Sequence, residues 1–232
     1  MIIVAVFLSA LAAIAVWYLA GQNLAAKPWL EQGVIGDLTD PDQRKPLLAK
    51  WGLGFFLAVV GALFALLASA YAMRAVSPDW QSAPLPRVLW LNTGVLIVSS
   101  LALQAADFFA RRRETGRART FLLTGAGAAI AFLAGQLLAW RQFAAAGYFL
   151  STNPANSFFY LITGAHGLHL AGGLVALATT VATARGDISA AQSGIRLCAI
   201  YWHFLLVVWL LLFALLAGWA GDIVVICRGL VS

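Results

Sequence analysis

Six stretches of this sequence are each long and apolar enough to cross a lipid bilayer: Ile2 to Ala20, Gly52 to Met73, Val88 to Ala110, Thr120 to Trp140, Phe158 to Ala184 and Leu197 to Ala220. A helix needs about 20 mostly apolar residues to span the hydrocarbon core, and open backbone in lipid leaves N–H and C=O groups unpaired. Each run is therefore predicted to be one transmembrane α-helix. The fold class that follows is an all-α integral membrane protein of six transmembrane helices, one N-terminal helix plus a five-helix bundle. Composition excludes a water-soluble globule, because 62% of the 232 residues are apolar and only 10% charged, against about 25% charged in soluble domains. The first run lacks the basic segment that opens a secretion signal, so it is expected to be a retained helix.

The one long connection, Gly21 to Trp51, carries Pro28, Pro41 and Pro46 with Asp37, Asp40 and Asp42, and reads as a linker without a core. It divides the chain into residues 1–51, the N-terminal helix and cytoplasmic linker, and residues 52–232, the bundle. The 15 Lys and Arg residues exceed the 9 acids, yet they sit in short patches between apolar runs and mark topology rather than nucleic-acid binding. Eleven lie in or beside the odd-numbered connections (Lys27, Arg44, Lys45, Lys50, Arg111, Arg112, Arg113, Arg117, Arg119, Arg185, Arg196) and four on the other side (Arg74, Arg87, Arg141, Arg228). This bias puts the odd connections in the cytoplasm and both termini outside. Cys198 and Cys227, near opposite ends of what reads as one helix, are too far apart to pair, and no zinc or redox spacing occurs.

Ionisable residues at membrane depth are few: His166, His169 and His203, with Asp107 near a cytoplasmic end. Asp107 precedes Arg111 by four residues, the favourable order for an ion pair on one helix face. His166 and His169 share a face of the fifth helix, but no third ligand joins them, so hydrogen bonding across a helix interface is expected rather than metal ligation. A haem held between the fifth and sixth helices fails on depth, since His166 and His169 differ from His203 by roughly 13 Å or more along the bundle. Gly164 and Gly167 stand beside the pair, and Gly167 with Ala171 and Gly172 with Ala176 form small-xxx-small pairs that allow close helix approach. Asn92, Thr93, Ser99, Ser100 and Gln104 can bond across helices from the third run.

These residues form a pattern. Thr163-Gly164-Ala165-His166-Gly167-Leu168-His169 with Gly172-Gly173, then Tyr201-Trp202-His203-Phe204 with Val207-Val208-Trp209, closely resemble the two signature helices of subunit III of haem-copper oxidases. Leu91-Asn92-Thr93 with Ser99-Ser100 resembles an earlier helix of that family, and the likeness runs from Trp51 to about Ala220. The resemblance implies an accessory subunit of a terminal oxidase that reduces oxygen to water and pumps protons. Such a subunit holds no haem or copper, which belong to partner subunits I and II. It packs on subunit I, binds phospholipid and supports sustained proton uptake, in a bacterial inner membrane. His166, His169, His203, Gly164, Gly167, Trp202 and Asn92 are then structural and interface residues. Arg111, Arg112 and Arg113 are candidates for a lipid headgroup, and cytochrome c is the expected donor ahead of quinol. The chain departs from the family in having one helix before the block. It also places Val60 where the family has an intramembrane Glu and Leu206 where it has an Asp, so no carboxylate role carries over. The competing class, a free-standing transporter or channel, calls for broken helices and paired intramembrane charges.

Overall fold

The computed structural model describes residues 9, 41–81 and 84–218. The predicted N-terminal span, residue 9 apart, and most of the linker lie outside them, as does Cys227. Five α-helices occupy the described residues, with no strand among them: α1 Pro41–Arg74, α2 Val88–Arg111, α3 Thr115–Ala145, α4 Pro154–Gly186 and α5 Ile188–Leu216. All five are long and apolar enough to cross a membrane, α1 from Ala49 onward.

Helix ends differ from the apolar runs where polar residues make good caps. α1 starts at Pro41 rather than Gly52, so the last part of the expected linker is already helical; proline at a first helical position forfeits no intrahelical bond. α4 starts at Pro154 because Asn153 caps it, its side-chain oxygen accepting from the Ala155 N–H at 3.0 Å. A single residue, Asp187, separates α4 from α5. Its carboxylate accepts from the Ser189 N–H at 2.8 Å, which draws the polar segment before Leu197 into the helix. At its other end α5 stops at Leu216 rather than Ala220, with Gly218 at φ 79°, a left-handed stop that favours glycine.

Cross-links tie the connections at each end together. Arg119, near the start of α3, donates from Nε to the Ala184 carbonyl at 2.8 Å and from Nη2 to that of Arg185 at 2.9 Å. These are carbonyls that the end of α4 leaves free. At the opposite end Asn153 Nδ2 donates to the Gln81 carbonyl at 2.6 Å, joining the α1–α2 and α3–α4 connections. There Arg74 bonds Asp79 at 2.9 Å and holds its carboxyl below the ordinary value of 3.8.

In cross-section α2, α3, α4 and α5 form a ring in which each helix packs on the next and α5 returns to α2, while α1 lies in the groove between α4 and α5. The interior is aromatic: Trp202, Trp209, Phe64, Phe132 and Phe143 are its largest enclosed side chains. The outside is apolar as well, with Phe55, Leu66, Leu91, Leu168 and Val175 all about 70% exposed. That pattern suits lipid or a partner helix rather than water.

Candidate functional site

The three histidines occupy three different settings. His166, at the centre of the inward face of α4, is completely enclosed, with ring centroids of Trp209 at 4.9 Å, Phe132 at 5.8 Å and Phe64 at 6.2 Å. Neither of its ring nitrogens has a partner among the described residues. His169 is half-buried one turn on, 5.3 Å from the Phe64 ring, and its Nδ1 bonds the Ala165 carbonyl of its own helix at 2.8 Å. A carbonyl only accepts, so that nitrogen carries the proton. His203 reaches across a helix interface, its Nδ1 paired with Ser100 Oγ of α2 at 2.6 Å. The inter-helix bond expected of the His166 and His169 pair is found instead at His203, because the aromatic rings around His166 offer no acceptor among the described residues and the His169 ring turns back on its own backbone.

His166 lies at the level of Trp209, and His203 is six residues earlier on α5, about 9 Å along the axis. His166 and His203 thus stand apart in depth, by less than the helix-end count suggests, while Tyr201, two residues before His203, reaches the carbonyl of His169. Among the described residues no group of three or more His, Cys, Asp and Glu is placed to hold a metal ion.

Asn92 is buried, and its Nδ2 donates to the Phe132 carbonyl of α3 at 3.1 Å. Its side-chain oxygen sits where a Cβ on Gly135 would be, so the two helices close here because position 135 has no side chain. Of the glycines that the sequence clusters on α4, Gly173 has the least room within the bundle. A Cβ on Gly172 would meet nothing within 4 Å, and one on Gly167 only a Leu133 methyl at 3.7 Å. One on Gly173 would lie 2.5 Å from the Tyr201 ring and 3.1 Å from Trp202. Gly164 is intermediate, its Cβ position 3.5 Å from Trp140. Trp202 is fully buried against Gly173, and its ring N–H has no partner among the described residues.

Several tying residues went unread in the sequence. Trp209 donates from Nε1 to Thr93 Oγ1 at 3.0 Å, linking α5 to α2, and Trp140 donates to Thr163 Oγ1 at 3.0 Å, linking α3 to α4. The Tyr201 hydroxyl donates to the His169 carbonyl at 2.8 Å. Gln136 is buried in the second half of α3 with both amide atoms unpartnered among the described residues. A lone amide in the run Thr120 to Trp140 was the available signal for it. At the cytoplasmic end of the predicted topology Arg111, Arg112 and Arg113 are exposed. Arg111 pairs with Asp107, and the Arg112 guanidinium lies 4.1 Å from the Phe108 ring centre. Asp107 itself is buried, one oxygen on Arg111 and the other without a partner among the described residues.

The described residues thus form a multi-pass helical membrane protein whose interior is closed by rings and short polar bonds. The family described as cytochrome c oxidase subunit III matches residues 47–221, which cover all five membrane helices. Cytochrome c oxidase subunit 3 of Synechocystis sp. is 33% identical over 178 residues, 73% of this chain and 75% of the relative. That of Thermostichus vulcanus is 32% identical over 173 residues, 71% of this chain and 84% of the relative. Cytochrome bo(3) ubiquinol oxidase subunit 3 of Pseudomonas aeruginosa is 28% identical over 170 residues, 70% of this chain and 81% of the relative. The chain belongs to the cytochrome c oxidase subunit III family, and so to the subunits of multi-subunit respiratory oxidases.

Proposed function

We propose that this protein is a non-catalytic accessory subunit of a proton-pumping haem-copper terminal oxidase in a bacterial inner membrane. In this reading it packs on subunit I in a complex that includes subunit II, holds phospholipid and supports sustained proton uptake. Oxygen chemistry and the haem and copper centres belong to its partners. The observation that carries the reading is the family match across α1–α5. The burial pattern supports it: rings and small residues fill the bundle core, while large apolar side chains cover the outside, ready for lipid or another subunit. Residues 1–51 are proposed as a separate N-terminal helix and linker preceding the bundle, with both termini periplasmic. Arg111, Arg112 and Arg113 then face the cytoplasmic leaflet, where each can attract an anionic headgroup by about 1 kcal/mol. Relatives named for both cytochrome c and ubiquinol oxidases match; cytochrome c is proposed as the donor from the higher identity to the former. No observation favours a free-standing transporter or channel, since each described helix runs unbroken.

Purification of the tagged chain from its membrane tests this. Haem absorbance and the two larger oxidase subunits should travel with it. The oxidase stripped of the chain should turn over at first and then lose activity sooner than the intact complex. Recovery of the chain without haem-containing partners, or equal persistence of the stripped enzyme, would count against the proposal.

A further inference from the structure

Three buried side chains in the bundle leave all of their polar atoms without partners among the described residues: Trp202 (Nε1) and, lying close together, the pair Gln136 on α3 (Nε2 and Oε1) and His166 on α4 (Nδ1 and Nε2). Both are nine-tenths or more enclosed, at 3% and 0% exposure. Cross-helix contacts place them at one depth. On one side Trp140 of α3 bonds Thr163 of α4; on the other Leu133 of α3 lies against Gly167 of α4. Gln136 falls between Leu133 and Trp140, and His166 between Thr163 and Gly167. Gln136 also shares its helix stripe with Phe132 and Trp140, four residues to either side, and Phe132 touches the His166 ring.

We infer that Gln136 and His166 together form an internal hydration site, which takes a water molecule bridging the amide and the imidazole between α3 and α4. The donor inventory fits water. A neutral imidazole has one donor and one acceptor, and a primary amide has two donors and a carbonyl acceptor. One water can donate to the free imidazole nitrogen and to Oε1 while accepting from the amide N–H. Buried waters in proteins make about three such bonds to groups that otherwise lack them. A metal ion does not fit, because one imidazole and one amide oxygen are too few ligands and no acid or thiol joins them among the described residues. The rest of this layer is already bonded: Asn92 to Phe132, Thr93 to Trp209 and Trp140 to Thr163. The site would close a polar belt linking α2, α3, α4 and α5 inside the bundle. It lies wholly inside the bundle, so it stands or falls apart from the chain's place in an oxidase.

Two measurements on the assembled complex test it. A density map that shows ordered waters should place one within about 3.2 Å of both the Gln136 amide and the His166 ring. A direct contact between the two side chains, or density with no water between them, overturns the inference. Thermal release of the subunit from the complex gives the second readout. Gln136→Met and His166→Phe each strand the remaining polar group and should lower the midpoint by about 2–4 °C. The double variant leaves no polar atom to satisfy and should lie nearer to the unaltered protein than either single one. Losses that simply add would show that the two residues are served independently, and would also overturn it.

Discussion

At the scale of single residues, the glycines of α4 separate packing from composition. Gly172 and Gly173 are neighbours in sequence, but a methyl at 173 runs into the Tyr201 and Trp202 rings while a methyl at 172 meets nothing. Gly173→Ala should therefore destabilise the bundle by roughly 1–3 kcal/mol, the usual cost of forcing extra volume into a filled core. Gly172→Ala should leave the stability of the subunit unchanged. Thermal unfolding of the two variants in detergent checks the pair, and equal losses would mean that the helix contact has been misplaced. His203→Leu belongs at the same scale. It removes one bond to Ser100, whose hydroxyl can turn back to its own helix, so a loss of only about 0.6–1.5 kcal/mol is expected. The histidines were legible as the residues to examine, because ionisable groups are scarce in apolar runs. Their partners were not, since a helix face fixes which residues point together but not which neighbour they meet. Gln136 shows this well: its position in the run was visible, but its lack of a partner is a property of the assembled core.

At the scale of elements, apolar run length located the four spans from Val88 onward and most of α1, and it failed at their ends. Caps decide ends, and Asn153, Asp187 and Gly218 do so through local backbone bonds and conformation that hydropathy does not register. The clasp from Arg119 to the last carbonyls of α4 was likewise hidden, because it spans 65 residues of sequence. Each of its charge-assisted bonds is worth about 1.5–3 kcal/mol when shielded, and less here since the group is partly exposed. Arg119→Leu should loosen the end of α4 first. Faster amide exchange at residues 183–186, with the middle of α4 unchanged, is the expected result. The same end of the bundle carries Arg111, Arg112 and Arg113, whose proposed cytoplasmic location rests on the loop-charge bias. A single cysteine placed at Arg113 should react with an impermeant thiol reagent only after the membrane is opened. Reaction from the periplasmic side of intact cells would invert the topology.

At the scale of the whole molecule, the distribution of acids bears on what such a subunit can do for proton uptake. Among the described residues with placed side chains, the acids are Asp79, Asp107, Glu114 and Asp187, all in connections or at helix ends. Val60, where the family places a carboxylate, is buried at 3% exposure among apolar neighbours, and Leu206 is half-buried on α5. An ionisable group at the centre of a span is costly and usually marks a proton path; the centres of α1–α5 carry histidine but no acid. Any contribution to proton uptake under the proposed function is accordingly expected to be indirect, through the proposed cover and lipid at one flank of a catalytic subunit. A hydrophobic carbodiimide, which modifies protonated carboxyls in apolar surroundings, tests this on the intact complex. Asp107 is the one acid of the four whose carboxylate is enclosed, with a single oxygen bonded to Arg111, so any label within the membrane spans of α1–α5 should fall there and increase in Arg111→Gln. The turnover of the unaltered oxidase should then resist the reagent as far as this subunit is concerned, in contrast to a complex given a Val60→Glu subunit. If the reagent modifies another carboxyl within α1–α5 and inhibition follows that modification, the subunit takes a direct part in proton transfer.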